Sequence, residues 1–428
     1  MKYAIVDMGS SRISVLAAEI LASGEVRVLS EEAKKSDGIK YGLVEQASKA
    51  AFTISELTRL LQNSSRMGEI KKVCVSLNAK TMKQIPLRIN RSLGFGKIVT
   101  NDLLDEMAVE CETKIKQQPE VEIYDTIPLY YELDGVKMDE PVDKKGRELF
   151  GFYNVIVGNV SIKEELKRCF DRTISTSLND FMPLGMEALS TVLLNNNERK
   201  AGCALINFGA TTTTLAIYAD EVLQQLLVVP LGGKNITRDI QELGISEVDA
   251  EKLKCRAGFA LKRLAEKPIC ISIPSVEAGN PPVKIATDFL ANIIEARLTE
   301  IMVPILKAIE QTPFELNAGI VIAGGGSNLN KLIDFLEEKT YIKTRFGDHT
   351  DWLSDDTDER FANPIYAQSI GTALLLHDYM SENPEKTETT PTPTQGTQKP
   401  KQKKWIDKIK DTVGNGYLKL FDDDNYLK

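Results

Sequence analysis

Residues 4–17, AIVDMGSSRISVLA, align without a gap on residues 204–217, ALINFGATTTTLAI. In each copy an apolar strand runs into a glycine turn of small residues, and apolar residues resume at Val15 and Leu215. Gly9 matches Gly209, and Ser10 and Ser11 match Ala210 and Thr211. An internal echo of this kind constrains the fold more than any single element, because it implies a duplicated architecture with a ligand held between the halves.

A solvent-facing hairpin tip has no need of Gly209, Ala210 and four consecutive threonines, Thr211, Thr212, Thr213 and Thr214. A loop that wraps an anion does. Glycine permits close backbone approach, exposed turn amides form an anion nest, and small hydroxyls add donors to phosphate oxygens. In the first copy Arg12 can add positive charge. Asp7, at its strand end, is placed to hold water or a magnesium hydration shell rather than phosphate. An ordinary hairpin with a Gly/Ser tip accounts for either copy alone, but not for the pair. A third segment, AGIVIAGGGSNLNKLIDFLEE (318–338), reads as a buried strand, then Gly324, Gly325 and Gly326 with Asn328 just beyond, then a helix carrying Leu329, Leu332, Ile333 and Leu336 on one face. A nucleotide base or ribose can lie against backbone at such a turn.

The remaining segments read as α/β alternation, with a helix expected over 43–64 and a buried strand over 71–79. Residues 80–158 mix strand pieces with the helical NDLLDEMAVECETKIKQQ and read as a small α+β unit inserted into a larger domain. The expected divisions are a first lobe at 1–79 and 159–200, the insertion at 80–158, and a second lobe at 201–380. A linker at 381–403 and a terminal helix at 404–421 follow. The net charge of -8 argues against a nucleic-acid partner. Six scattered cysteines without a C-x-x-C pair read as free thiols in a reducing compartment, and two histidines, His349 and His377, make neither a zinc site nor a triad. The start lacks a signal-peptide pattern and no apolar run reaches the ~20 residues of a membrane span, so a cytoplasmic location is expected.

Residues 381–404 contain Pro, Thr, Lys and Glu but no large apolar residue, which reads as a disordered tether. Beyond it Trp405, Ile406, Ile409 and Val413 recur at helical spacing, flanked by Lys403, Lys404, Lys408 and Lys410. A short basic amphipathic helix with tryptophan suits the interfacial plane of an anionic lipid bilayer.

Two phosphate hairpins followed by a glycine-rich base turn is the order of the actin, chaperone and hexokinase superfamily. Within it the chain resembles the FtsA family of bacterial division proteins over nearly its whole length. VDMGSSRISV resembles that family's first phosphate motif. PLGGKNITRDI (230–240), with Gly232, Gly233 and Asn235, is similar to its segment beside the nucleotide. DAEKLKCRAGFAL (249–261) is similar to the stretch in which Glu251 and Lys254 would meet ribose and adenine. EARLTEI (295–301) and NPIYAQSIGTALL (363–375), a helix after an Asn-Pro turn, also match. The resemblance implies a two-lobed, actin-like ATPase fold with ATP and Mg²⁺ in the cleft and a small subdomain inserted in the first lobe. It implies filament formation, a C-terminal membrane helix, and docking of the FtsZ C-terminal tail on the second lobe, with Arg297 and Glu300 as candidate contacts. Other division proteins would meet the inserted subdomain, at the division site on the cytoplasmic face of the membrane. One departure stands out. The superfamily's second phosphate motif usually has carboxylates where this chain has Asn207 and Thr214. An amide cannot serve as a general base, so slow or absent ATP hydrolysis is expected. The alternatives are a small-molecule kinase, a chaperone ATPase, and a pilus or secretion scaffold of the same fold.

Overall fold

The computed structural model of the chain describes residues 1–64, 68–117, 120–174, 176–265 and 268–383. The linker expected from 381 begins no earlier than 383, because the last described helix continues to Glu382. The rest of the linker and the terminal helix expected from Lys404, Trp405, Ile406, Lys408, Ile409 and Val413 lie outside the described residues.

The chain opens on an antiparallel meander, β1 (Lys2–Met8), β2 (Arg12–Ile20) and β3 (Val26–Lys35). Helix α1 (Ala47–Ser64) follows and buries Ala50, Ile54, Leu57 and Leu61. It begins four residues later than the expected 43, because Leu43–Val44 pairs as a short strand with Ile39–Lys40. Strand β4 (Lys72–Val73) then runs alongside β1, with Val6 N donating to Cys74 O at 2.9 Å and Cys74 N to Ala4 O at 3.0 Å.

There the chain leaves the lobe. Strands β5 (Lys83–Ile98), β6 (Val121–Leu133), β7 (Val136–Met138) and β8 (Lys145–Asn159) form a sheet in the order β5-β8-β6-β7, and α2 (Asn101–Lys116) covers one face. This subdomain has its own core, including Ile89, Leu104, Met107, Cys111, Leu149 and Tyr153. Helix α3 (Ser161–Phe170), strand β9 (Ser177–Leu178) paired parallel to β4, and helices α4 (Gly185–Leu193) and α5 (Asn196–Ala201) complete the first lobe.

The second lobe is built on β10 (Cys203–Phe208), β11 (Thr213–Ala219) and β12 (Val222–Val229), then α6 (Gly233–Gln241), α7 (Glu247–Ala257) and the long α8 (Thr287–Gln311). Strand β13 (Ile320–Ala323), helix α9 (Leu332–Thr340) and strand β14 (Thr344–Phe346) follow. Helix α10 (Ala367–Glu382), expected within the second lobe, instead returns to the first and packs on α4, β1 and β2. Its sheet order is β12-β11-β10-β13-β14. The first lobe repeats the same sequence of pairings, β3-β2-β1-β4-β9. In both, two antiparallel contacts are followed by two parallel ones. The hairpin registers also coincide: Tyr3–Ala18 and Asp7–Ser14 in the first become Cys203–Tyr218 and Asn207–Thr214 in the second, each shifted by 200.

Strand alternation sorts the second lobe's core. Cys203 and Leu205 face a core shared with the first lobe and with α4 and α10, whereas Ala204, Ile206 and Phe208 face a second core with α6, α8 and α9. Burial on both faces explains why β10 reads as a nearly continuous apolar run. The inserted subdomain also touches the second lobe. Asn154 Nδ2 donates to Gln224 O at 2.8 Å and Gln84 Oε1 accepts from Leu226 N at 2.7 Å, so side-chain amides satisfy the edge strand β12.

Candidate functional site

The two hairpin turns and the glycine triplet face one cleft of about 640 Å³ between the lobes, within the range of small-molecule sites. Asp7, Gly9, Ser10, Ser11 and Arg12 line it from the first lobe. From the second come Asn207, Gly209, Ala210, Thr211, Thr212, Gly233, Glu251, Lys254, Gly324, Gly325, Gly326 and Asn328.

Gly232 and Asn235 stand behind this wall rather than in it. Gly233 N donates to Gly209 O at 3.0 Å and Lys234 N to Ala210 O at 2.7 Å, so the first amides of α6 are spent on the turn's carbonyls. Asn235 Oδ1 accepts from Gly232 N at 3.0 Å and closes this brace. A Cβ on Gly232 would lie 2.5 Å from Gly209 O.

The second turn uses two of the four threonines. Strand β11 resumes at Thr213, whose hydroxyl donates to Leu231 O at 2.9 Å, and Thr214 is buried opposite Asn207. β-Branched residues suit a strand, so the run is half turn and half ladder. Thr214 therefore contributes nothing to the cleft wall, and of the two positions lacking a carboxylate only Asn207 faces the cleft.

Strand β13 leads to a 3₁₀ turn, Gly325–Asn328, and α9 begins only at Leu332, after Lys331 adopts a left-handed φ of 64°. Leu329 thus precedes the helix that the sequence pattern assigned to it. Gly324, at φ +86°, lies so close to β10 that a Cβ would meet Asn207 Oδ1 at 2.3 Å and Phe208 O at 2.6 Å. Gly326 abuts the Phe208 ring in the same way, while a Cβ on Gly325 would meet nothing nearer than Ile365 Cγ2 at 4.0 Å. Two of the three glycines serve the packing of the lobe itself, and Gly325 leaves room for a ligand.

Asp7 stands one residue before the end of β1, among low-dielectric surroundings. Burial, opposed by Arg12 and reinforced by Glu31, pushes its carboxyl up to about 6. Arg12 is not a free phosphate ligand: its Nη1 lies 3.3 Å from Glu31 Oε1 and its guanidinium sits 5.2 Å from the Tyr366 ring centre. On α7, Lys254 Nζ donates to Glu251 Oε2 at 2.8 Å, Thr237 Oγ1 at 2.9 Å and Gly233 O at 3.1 Å. Burial would raise the Glu251 carboxyl. The Lys254 charge and the hydrogen bonds from Lys254, Thr237 and Cys255 outweigh it and hold the group below the usual carboxylate range.

The donor set suits a hydrated magnesium ion. Asp7 supplies one carboxylate beside the glycine turns and Asn207 one amide, and the described residues contain no cluster of three or more His, Cys, Asp or Glu side chains able to cage a metal. Magnesium typically keeps several waters and takes one or two carboxylates plus substrate phosphates.

Three contributors were missed in the sequence. Lys234 sits inside the quoted PLGGKNITRDI, yet only the structure shows its Nζ reaching Ser10 O at 2.7 Å. Asn78 and Gln368 line the first-lobe side, with Asn78 Nδ2 donating to Gln368 Oε1 at 2.8 Å and Gln368 Nε2 to Ser76 Oγ at 2.9 Å. Counting from the bridges Ile5–Cys74 and Leu205–Val321, Leu77 stands where Gly324 stands in the other lobe. The echo could have led there had it been followed past the hairpin. Arg297, on α8, lies away from the cleft; its Nη2 donates to Asp239 Oδ1 at 2.9 Å and its Nη1 pairs with Glu300.

A sequence model of the family described as cell division protein FtsA matches residues 204–371. The chain is 23% identical to cell division protein FtsA of Pseudomonas aeruginosa over 383 residues, 88% of this chain and 89% of that one. It is 25% identical to cell division protein FtsA of Borreliella burgdorferi over 382 residues, 88% of this chain and 91% of that one. Among solved structures it is similar to a chain of the PilM–PilN type IV pilus biogenesis complex, with a TM-score of 0.62 and 15% identity over 88% of this chain and 98% of that one. MreB5 of Spiroplasma citri bound to AMPPNP gives a TM-score of 0.52 and 14% identity over 90% and 99%. The MamK double helical filament gives 0.50 and 12% over 88% and 98%. At such identities the structural likenesses speak to fold, and the fold is actin-like α/β.

Proposed function

We propose that the chain is a cell division protein of the FtsA family, to whose members it is similar over 88% of its length, and that it binds ATP with Mg²⁺ in the interlobe cleft, assembles head to tail with its own copies, and tethers FtsZ filaments to the cytoplasmic face of the membrane at the division site. The observation that carries the nucleotide reading is the convergence of both glycine turns and the 324–326 turn on a single cleft. When bound, Mg²⁺ would neutralise phosphate charge, with Asp7 holding its hydration shell. Asn207, an amide where a carboxylate would serve as base, makes the cleft a binding site with slow or no hydrolysis. A bound nucleotide would fix the angle between lobes and so present the surfaces for heterologous assembly.

The tether rests on sequence. The basic apolar stripe at 404–413 supplies one weak membrane contact, which filament avidity would multiply. The FtsZ tail would dock around Arg297 and Glu300, and other division proteins on the inserted subdomain.

Two exposed thiols give a direct test of the cleft. Cys255 lies in its wall, whereas Cys270 lies outside it. ATP should slow alkylation of Cys255 and leave Cys270 unchanged; equal rates with and without millimolar ATP would sink the nucleotide reading. For the tether, the full chain should pellet with anionic liposomes and carry FtsZ down with it. A chain ending at Met380 should do neither.

A further inference from the structure

Lys234 joins the two glycine turns through both ends of one residue. Its amide donates to Ala210 O at 2.7 Å on the second turn, and its Nζ donates to Ser10 O at 2.7 Å on the first. Beside it Thr211 Oγ1 donates to Ser10 Oγ at 2.8 Å. Hydroxyl oxygens at hydrogen-bond distance leave no space between the tips for a phosphate group. A phosphate entering there has to take over the bonds that now join the lobes.

The charges single out the same residue. Among the other cations lining the cleft, Arg12 is matched by Glu31 and Lys254 by Glu251, while Lys35 and Lys252 lie exposed at the rim. Lys234 is partly buried and makes no ion pair among the described residues; its hydrogen-bond acceptor is a neutral carbonyl. Burial lowers the pKa of this ammonium, outweighing Glu247 and Glu251, which act on it only through space. An ammonium partly withdrawn from water and bonded to a carbonyl is incompletely compensated, and an anion is its natural partner.

We propose that Lys234 is a phosphate-reading latch, holding the lobes together through Ser10 when distal phosphates are absent and transferring its ammonium to them when a nucleoside di- or triphosphate is bound. This rests on the nucleotide reading above and deepens it by naming what the site counts, namely phosphate charge beyond the first. Lysine acts here as a point charge rather than a planar fork, so arginine should replace it in part and a neutral side chain should not.

The test is calorimetric affinity for ATP, ADP and AMP, with Mg²⁺ and with chelator, for the full-length wild type, Lys234→Met and Lys234→Arg. The discriminating quantity is the ATP-to-AMP affinity ratio within each protein, which a general loss of folded structure would leave unchanged. That ratio should fall about tenfold to a hundredfold in Lys234→Met, as expected for losing a charge-assisted hydrogen bond. It should recover substantially in Lys234→Arg, and the fall should persist in chelator. If wild type binds ATP and the ratio is the same in Lys234→Met, the latch is wrong and the nucleotide reading stands. If wild type binds none of the three, both fall.

Discussion

In the first hairpin Asp7 stands one residue before the end of β1, Ser10 and Ser11 lie in the turn and Arg12 opens β2; in the second, Asn207, Ala210, Thr211 and Thr212 stand at the corresponding positions. The backbones match and the chemistry does not. The first turn carries ionisable groups, one of them with its carboxyl pushed up to about 6 by burial. The second carries amides and hydroxyls and is braced from behind by the first turn of α6. The repeat has kept the turn geometry in both halves and has left the ionisable side chains to one.

The third strand shows the same division and gives the severest expectation. Leu77 occupies in the first lobe the position of Gly324 in the second, where φ is +86° and a Cβ would collide with β10. Gly324→Ala should therefore destabilise the protein by about 3 kcal/mol, combining left-handed strain with a backbone clash. Leu77→Ala should cost about 2 kcal/mol or more through lost burial alone. Chemical denaturation of both variants decides the point, and a Gly324→Ala protein as stable as wild type would remove the asymmetry.

Asp7 comes next. Its folded carboxyl sits above its unfolded value, so the folded state holds the proton more tightly, and unliganded stability falls as pH rises from about 4 through about 6. Asp7→Asn should stabilise the unliganded protein by about 1–3 kcal/mol at pH 7. The gain should disappear toward pH 4, and ATP affinity in Mg²⁺ should fall in the same variant. A pH-independent difference in melting would contradict the burial argument. The mirror substitution, Asn207→Asp, restores a carboxylate to the second turn. It should raise phosphate release from ATP by about tenfold or more, the lower end of general-base effects.

These contrasts also show which parts of the molecule a linear reading reaches. The paired hairpins were visible because each is contiguous and its partners lie within a few residues, so the shift of 200 could be read directly. The duplicated fold followed from that echo, whereas the strand order came only with the structure. Side-chain engagement did not. Arg12 reads as a phosphate ligand until Glu31 and Tyr366 are found beside it, one on the next strand and one more than 350 residues away. Gly232 and Asn235 sit in a segment adjoining the site, and sequence alone could not tell the wall from the brace behind it. The second turn shortened from four threonines to two for a simple reason. Thr213 and Thr214 satisfy the ladder of β11, and a run of identical residues carries no mark of where turn gives way to strand.

The smallest expected effect falls where the two turns meet. Ser10 and Thr211 are both nearly excluded from solvent, at 9% and 6% exposure, and share one hydrogen bond across the cleft. Neither side chain belongs to the other's lobe, so a double-mutant cycle with Ser10→Ala and Thr211→Ala isolates an interlobe contact from each turn's own stability. Without nucleotide the coupling energy should be about 1 kcal/mol, the usual net worth of a neutral hydrogen bond. Saturating ATP should abolish it, because phosphate oxygens would then accept from both hydroxyls separately. If the coupling survives unchanged at saturating ATP, the phosphates do not pass between the turns, and the two halves of the duplicated hairpin grip something other than one ligand.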